Sequence, residues 1–301
     1  MEWHQLEYFK VVAKTQHFTQ AAKILSVSQP ALSRSIAKLE GEMGFPLFER
    51  CGKNIVLNHY GKLFLRHVER AIQEIENGKH ALHAISNPDS GTVSLAFIHS
   101  LGSHIVPMLI SKFHFLYPNI QFKLYQNHNT LLLEQLETGE IDLCLCFPIA
   151  TQRNIEWEPL FMEELMVATP ASHRLAQRNS IQLTEIATDP LITFKKDYGL
   201  RILADQFFQI AGIIPNITFE GEEILTVAGL VESNLGVALI PRIVGIDTTN
   251  ISFLRVSEPK CCRSIEVAWR KNQYMSPVAR KFKDFIIEFY RQERQEIPPL
   301  A

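Results

Sequence analysis

Between residues 28 and 43 the chain reads SQPALSRSIAKLEGEM, and its side chains sort onto two faces of a 3.6-residue repeat. Leu32, Ile36, Leu39 and Met43 make an apolar stripe, which marks a core edge. The opposite face carries Gln29, Pro30, Ser33, Arg34, Ala37 and Lys38. These side chains are short or rich in hydrogen-bonding groups, so a helix bearing them can approach a groove closely, and its two cations suit phosphates or guanine edges. Ser28 is a good N-cap, and Pro30 falls in the first turn, where its missing N–H costs nothing. Polar residues of a second kind occupy strand-to-loop junctions at 99–103 (HSLGS), 127–130 (NHNT) and 147–148 (FP). Strand ends and helix starts in an α/β sheet aim N–H groups at one crevice, so Ser100, Asn129, Thr130 and Phe147 are candidates to hold a small molecule. Plain helix capping is the alternative for Ser100 and Asn129. Phe194 and Arg201 flank a further loop, KKDYGL, and Arg201 would suit a carboxylate, with pairing to a surface acid as its alternative. The motifs GxSxG, GxGxxG, GxxxxGK[ST] and HExxH are absent, and no Cys and His share metal-ligand spacing, so neither an enzyme nor a metal or cofactor site is expected.

The elements that must position the first face lie close around it. FTQAAKIL reads as a shorter helix from Phe18, capped by Thr19, with Ala21 and Ala22 allowing tight packing and Ser26-Val27 making the turn. Downstream, FPLFER, CGKN and IVLN read as two short strands about a turn, with Arg50, Lys53 and Asn54 at the tip. Such a tip suits phosphate or minor-groove contact, and a plain surface hairpin is the alternative. The net charge of -2 conceals a local excess. From residue 10 to residue 66 there are nine basic side chains against Glu40, Glu42 and Glu49. That balance is the electrostatic footprint of a nucleic-acid surface, although a solvated charged face gives the same count.

The run from Leu6 to Leu65, above all FTQAAKILSVSQPALSRSIAKLEGEMGFPLFER followed by Gly61, resembles the N-terminal winged helix of LysR-type transcriptional regulators. Two departures stand out: His17 where the family has a small residue before the Phe, and Asn58 in place of a capping Thr, for which Asn is an equal substitute. The resemblance extends over the whole chain and implies its organisation. Residues 1–58 would be the DNA-binding domain, 59–90 a dimerisation helix and hinge, and 91–301 an α/β effector domain resembling a type 2 periplasmic binding protein. Within the last, subdomain I would be 91–161 with 268–301, and subdomain II 162–267. It further implies contacts to double-stranded DNA from Thr19, Gln29, Pro30, Ser33, Arg34, Lys38, Arg50, Lys53 and Asn54. Ser100, Asn129, Thr130, Phe147, Phe194 and Arg201 would line the cleft for a small anionic metabolite. A homo-oligomer, as a dimer or dimer of dimers, and engagement of RNA polymerase also follow from the resemblance.

The long helix has support of its own. Phe64, Val68, Ala71, Ile75, Gly78, Leu82 and Ile85 step by four and three residues, a heptad seam with charged flanks that calls for a partner helix, or for the helix's own domain. NPDSG at 87–91 ends it. From Thr92 onward, strand-like runs VSLAFI, IQFKLY, IDLCLCF, LMVAT, LITF, ITFE, GVALIP and IEVAW alternate with helical stretches, the pattern of α/β units with a largely parallel sheet. At 301 residues and 46% hydrophobic content the chain buries a substantial core in two or three domains. No signal peptide or 18-residue apolar run is present, so a cytoplasmic location away from membranes is expected. Five cysteines without a CxxC pair argue against a disulfide framework and read as reduced thiols, a redox switch being the alternative. A stand-alone solute-binding protein and an α/β enzyme are the rival classes.

Overall fold

The computed structural model describes residues 1–51, 54–86, 90–149, 154–247 and 249–296. It divides into two compact units, Met1–Leu82 and His83–Ala301.

In the first unit α1 (Trp3–Thr15), α2 (Phe18–Ile24) and α3 (Gln29–Met43) are followed by a hairpin of β1 (Phe48–Cys51) and β2 (Asn54–Leu57), and then by α4 (His59–Ser86). Leu6, Phe9, Val12, Ala21, Ala22, Leu32, Ile36, Leu39 and Leu47 close one core. The turn between α2 and α3 has paired ends: Val27 N–H donates to Ala22 O and Ser26 N–H to Lys23 O, with Ser26 at φ 54. This is a Schellman close, which satisfies the last carbonyls of α2 while reversing the chain. The cap of α2 differs from the expected Thr19. His17 takes that place, its Nδ1 accepting from Gln20 N–H at 3.4 Å, while Thr19 lies inside the helix and is exposed. A neutral imidazole can serve because one ring nitrogen carries a lone pair. Asn58 fastens the start of α4, accepting from Gly61 N–H at 2.9 Å and donating to Pro46 O at 2.7 Å. Gly61 itself is obligatory, since a Cβ there would sit 2.0 Å from Leu47 O.

α4 corrects part of the expected seam. Phe64 and Val68 turn inward: Val68 is 2% exposed in the winged-helix core, and the Phe64 ring lies 5.3 Å from that of Phe9. Ala71, Ile75 and Leu82 are exposed, Ile75 at 49% and Leu82 at 70%, so only the later turns leave a seam open to a partner. A four-three repeat reports which side chains share a face, and both halves of that face are apolar for different reasons. The Ile85 side chain lies outside the described residues.

The second unit holds two cores strung on shared strands. In the first, β3 (Gly91–Ile98), β4 (Ile120–Asn127) and β5 (Leu143–Cys146) run parallel and are covered by α5 (Ile105–Leu116), α6 (Asn129–Thr138) and α9 (Pro277–Glu296). The second contains β7 (Ser180–Gln182), β8 (Pro190–Phe194), α7 (Gly199–Ile210), β9 (Asn216–Gly221), α8 (Ile224–Glu232), β10 (Ala238–Pro241) and β11 (Ile251–Glu258). Two long antiparallel strands, β6 (Ile155–Pro170) and β12 (Cys262–Arg270), run between the cores, in the sheet order β4-β3-β5-β12-β6-β11-β7. Leu160 packs in the first core and Leu165 in the second, and on the return Cys261 belongs to the second and Ile265 to the first. The return crossing therefore falls ahead of the expected 267/268 boundary, because Ile265 and Val267 already point into the first core.

Candidate functional site

The first candidate surface is the outer side of α3. Ser28 caps it, accepting from Ala31 N–H at 3.4 Å, and Gly44 at φ 74 ends it. Because Leu32, Ile36 and Leu39 are buried beneath, Gln29, Pro30, Arg34, Ala37 and Lys38 are turned to solvent, and Ser33 is half-buried beside them. Arg34 enters no ion pair among the described residues, whereas Lys38 Nζ contacts Glu2 Oε1 at 2.7 Å. That contact holds the Lys38 ammonium above its ordinary range and the Glu2 carboxylate below it. Lys53 lies outside the described residues, as do the side chains of Arg50 and Asn54. The backbone pairs Arg50 with Ile55 and Cys51 with Asn54.

The second candidate is a cavity of about 40 Å³ between the two cores of the C-terminal unit, lined by Ser100, Asn129, Phe147 and Phe194 together with Ile98, His99, Asn127, His128, Tyr198, Gly199, Leu200, Glu222, Ile224 and Arg263. Three helices begin at its wall, α6 after His128, α7 after Tyr198 and α8 after Glu223, and none of the three has a side-chain cap. Helix starts without caps leave N–H groups and the positive end of the helix dipole available. Three contacts bridge the two walls of the cavity. His99 Nε2 lies 3.0 Å from Glu223 Oε1, Thr130 Oγ1 donates to Asp197 O at 3.2 Å, and the His128 and Tyr198 rings sit 5.0 Å apart. Gly199 meets the opposite wall so closely that a Cβ would lie 2.8 Å from Phe147 Cζ.

Three of the expected residues behave differently from their sequence reading. Asn129 is 2% exposed, and its amide is spent on the Phe147 backbone, donating to the carbonyl at 2.8 Å and accepting from the N–H at 3.3 Å. It anchors the end of β5 instead of presenting polar atoms to the cavity. Thr130 contributes the link to Asp197 and does not line the cavity. Arg201 is not available to a ligand. It is 6% exposed, with Nε 2.9 Å from both Asp205 oxygens and Nη1 donating to Phe194 O at 2.8 Å and to Glu220 Oε1 at 2.5 Å. A helix position facing a sheet leaves an arginine no choice but to satisfy its donors locally.

The cation at the cavity is Arg263, which sequence reasoning missed. Its side chain is 2% exposed, its Nη2 donates to Ser100 Oγ at 2.7 Å, its Nε donates to Glu163 Oε2 at 2.6 Å, and its guanidinium lies 4.8 Å over the Phe147 ring. Burial pulls this guanidinium below its ordinary value, against the pull of Glu163. One signal was available: Arg263 alternates in phase with Ile265 and Val267, so it stands at a position whose neighbours along the strand are core residues. On the far wall, Lys195 and Tyr198 hold the Glu222 carboxylate below its usual range.

Sequence comparison decides the family. Residues 3–62 match the bacterial regulatory helix-turn-helix protein, lysR family, and residues 86–291 match the LysR substrate binding domain. The chain belongs to the LysR family of transcriptional regulators. It is a DNA-binding regulator with a C-terminal effector-binding domain, and its family is one of regulators and not of enzymes. The uncharacterized HTH-type transcriptional regulator YybE of Bacillus subtilis (strain 168) is 49% identical over 292 residues, covering 97% of this chain and 100% of that one. The effector binding domain of QuiR in complex with shikimate is 33% identical with a TM-score of 0.65, covering 67% of this chain and 98% of that domain. CbnR, a LysR family transcriptional regulator, is 25% identical with a TM-score of 0.71 over 97% of this chain and 99% of its own.

No cysteine is among the residues lining the cavity. Cys144, Cys146 and Cys261 are buried. Burial raises Cys146 well above its ordinary range and pushes Cys261 up to about 12, the opposite of an activated thiolate. Among the described residues no cluster could hold a metal ion, and no helix is long and apolar enough to cross a membrane.

Proposed function

We propose that this LysR-family regulator, working in the cytoplasm, binds a small anionic metabolite in the cavity between its two C-terminal cores and transmits that binding to DNA contacts made by α3. One observation carries the effector reading: a buried arginine, Arg263, shares one cavity with three helix starts that lack side-chain caps. Positive charge without competing caps favours a carboxylate or phosphate over a neutral ligand. That QuiR is known with shikimate, a hydroxylated carboxylate, supports the same class. A cavity of about 40 Å³ is far below the few hundred needed for a metabolite, so binding requires the cleft to open and then reclose around the ligand. Ser100, Phe147, Phe194 and Arg263 are the residues assigned to the effector, with Asn129 and Thr130 holding the walls.

Gln29, Pro30, Ser33 and Arg34 are assigned to the major groove, with Thr19, Lys38, Arg50, Lys53 and Asn54 at the backbone or the minor groove. Residues 1–58 form the DNA-binding module, 59–90 the connecting helix and hinge, and 91–301 the effector domain. Ala71, Ile75 and Leu82 form the seam of a dimer, or of a dimer of dimers, that reads an interrupted palindrome with half-sites about one helical turn or a multiple apart. Contact with RNA polymerase completes the regulatory role. Mobility shifts of DNA upstream of the chain's own gene, with and without carboxylates, test the whole reading. Binding should fall steeply with salt, and a carboxylate that alters the shift should lose its effect in Arg263→Gln and Ser100→Ala chains that still bind DNA. A carboxylate whose effect survives both substitutions would move the effector site elsewhere.

A further inference from the structure

Arg263 and Glu163 are register partners on β12 and β6, the two strands that run between the cores. They are unequal partners. The Arg263 side chain is 2% exposed and lines the cavity, whereas the Glu163 side chain is 19% exposed and stands outside the lining. One carboxylate oxygen, Glu163 Oε2, takes both the Nε donor at 2.6 Å and the Nη2 contact at 2.5 Å. Ser100 Oγ accepts from Nη2 at 2.7 Å, so the serine's own O–H remains a donor toward a further oxygen. A guanidinium this deeply buried requires an anion beside it at all times, because an unpaired charge there is strongly disfavoured. In the structure that anion is Glu163.

We propose that Glu163 is a resident counter-ion which the carboxylate of an entering effector replaces on Arg263, with Ser100 O–H donating to the same carboxylate. The inference rests on the reading of the cavity as the effector site and adds what competes for it. The less buried partner is the one that can leave: when the cleft opens, Glu163 can turn to water, while Arg263 and Phe147 stay stacked at 4.8 Å. The exchange has two consequences. Glu163 lowers the affinity of the cleft for every carboxylate, and a neutral isostere such as an amide cannot take its place. Because Glu163 sits on a crossing strand, its release removes a side-chain link between β6 and β12 where the cores are joined.

Thermal unfolding of the full chain, titrated with sodium acetate or with acetamide at ionic strength held constant by sodium chloride, tests the exchange. Acetate is a carboxylate small enough to reach Arg263 with little opening of the cleft. The Glu163→Gln chain should begin from a lower midpoint and be raised by acetate at concentrations about tenfold below those that affect the wild type, since stabilisation follows the affinity of the folded state for its ligand. Acetamide should move neither chain. Arg263→Gln and the double variant should lose the response to acetate. If Glu163→Gln answers acetate no better than the wild type while Arg263→Gln has lost the response, the exchange is wrong and the cleft reading stands. If Arg263→Gln keeps the wild-type response, the cleft reading itself falls. Should Glu163→Gln yield no folded chain, Glu163→Asp, which keeps the charge but shortens the reach, should be sensitised to acetate in the same direction, and unchanged sensitivity counts against the proposal.

Discussion

Arg34, one turn into α3, is exposed and enters no ion pair among the described residues, whereas Arg263 on β12 is buried against Glu163, Ser100 and Phe147. Both cations are assigned to recognition, of the DNA major groove in one case and of a carboxylate in the other. The first waits in water, and its binding is diffusive, salt-dependent and open to any polyanion. The second has been desolvated during folding, so whatever meets it must replace an internal partner. Recognition on α3 therefore comes at little cost to stability, and recognition in the cleft is bound up with it. Arg201 marks the limit of the second case: with Asp205, Glu220 and the Phe194 carbonyl all satisfied, it serves the fold alone.

Substitutions that separate surface from core test this contrast most severely. Val68→Asp places an unpaired charge in the winged-helix core and should lower the stability of the N-terminal unit by about 3 to 5 kcal/mol, read by chemical denaturation. Paired Ile75→Asp and Leu82→Asp substitutions, on the exposed turns of the same helix, should leave that stability unchanged and halve the mass found by light scattering. A wild-type mass would remove the seam from α4. Arg201→Ala strands two acids that are about half exposed, so a loss of about 2 to 4 kcal/mol of stability is expected. Any carboxylate that binds the wild type should bind that variant with similar affinity once it is folded. Arg34→Ala should weaken a specific DNA site by about 1 to 3 kcal/mol and blur its sequence preference. Its unfolding midpoint should hold, and a variant that lost stability but kept its DNA preference would invert the comparison. Smallest of all, Glu2→Gln releases Lys38 from its ion pair and should tighten DNA binding slightly and equally on all sequences. The Glu2 carboxylate lies below its usual range because of Lys38, so the pair's contribution is present above the unfolded pKa and fades as pH falls through the folded one. The Glu2→Gln chain should show no such dependence.

The strands and helices that carry an unbroken pattern are legible in the sequence. Ser28, Pro30 and the Leu32-Ile36-Leu39 stripe announce α3, and VSLAFI, IQFKLY and LITF announce β3, β4 and β8. The first half of β6 is not, because IEWEPLFMEE intersperses acids and Pro159 among residues of which only Ile155 and Leu160 are buried. Nor is β11 legible, since its ISFLRVSE run alternates too weakly to stand out between loops. The cap of α2 eluded the pattern for another reason: a histidine caps only when its ring nitrogen is turned to the helix, a matter of rotamer and not of residue type.

What the sequence determined by itself is local: which residues share a helix face, where a cap or a glycine ends an element, and that one small polar face with two cations stands opposite an apolar stripe. Those properties follow from spacing along the chain, and a helix needs only its own residues to present them. What the tertiary structure alone decided is which of several equivalent side chains meets which. Phe64 and Val68 share a repeat with Ile75 and Leu82, yet the first pair is buried in its own domain. Arg201 and Arg263 are both buried arginines, yet only Arg263 lines the cavity. Burial and pairing depend on residues a hundred positions away, as Glu163 is from Arg263, and no periodicity within one element records what the fold will bring against it.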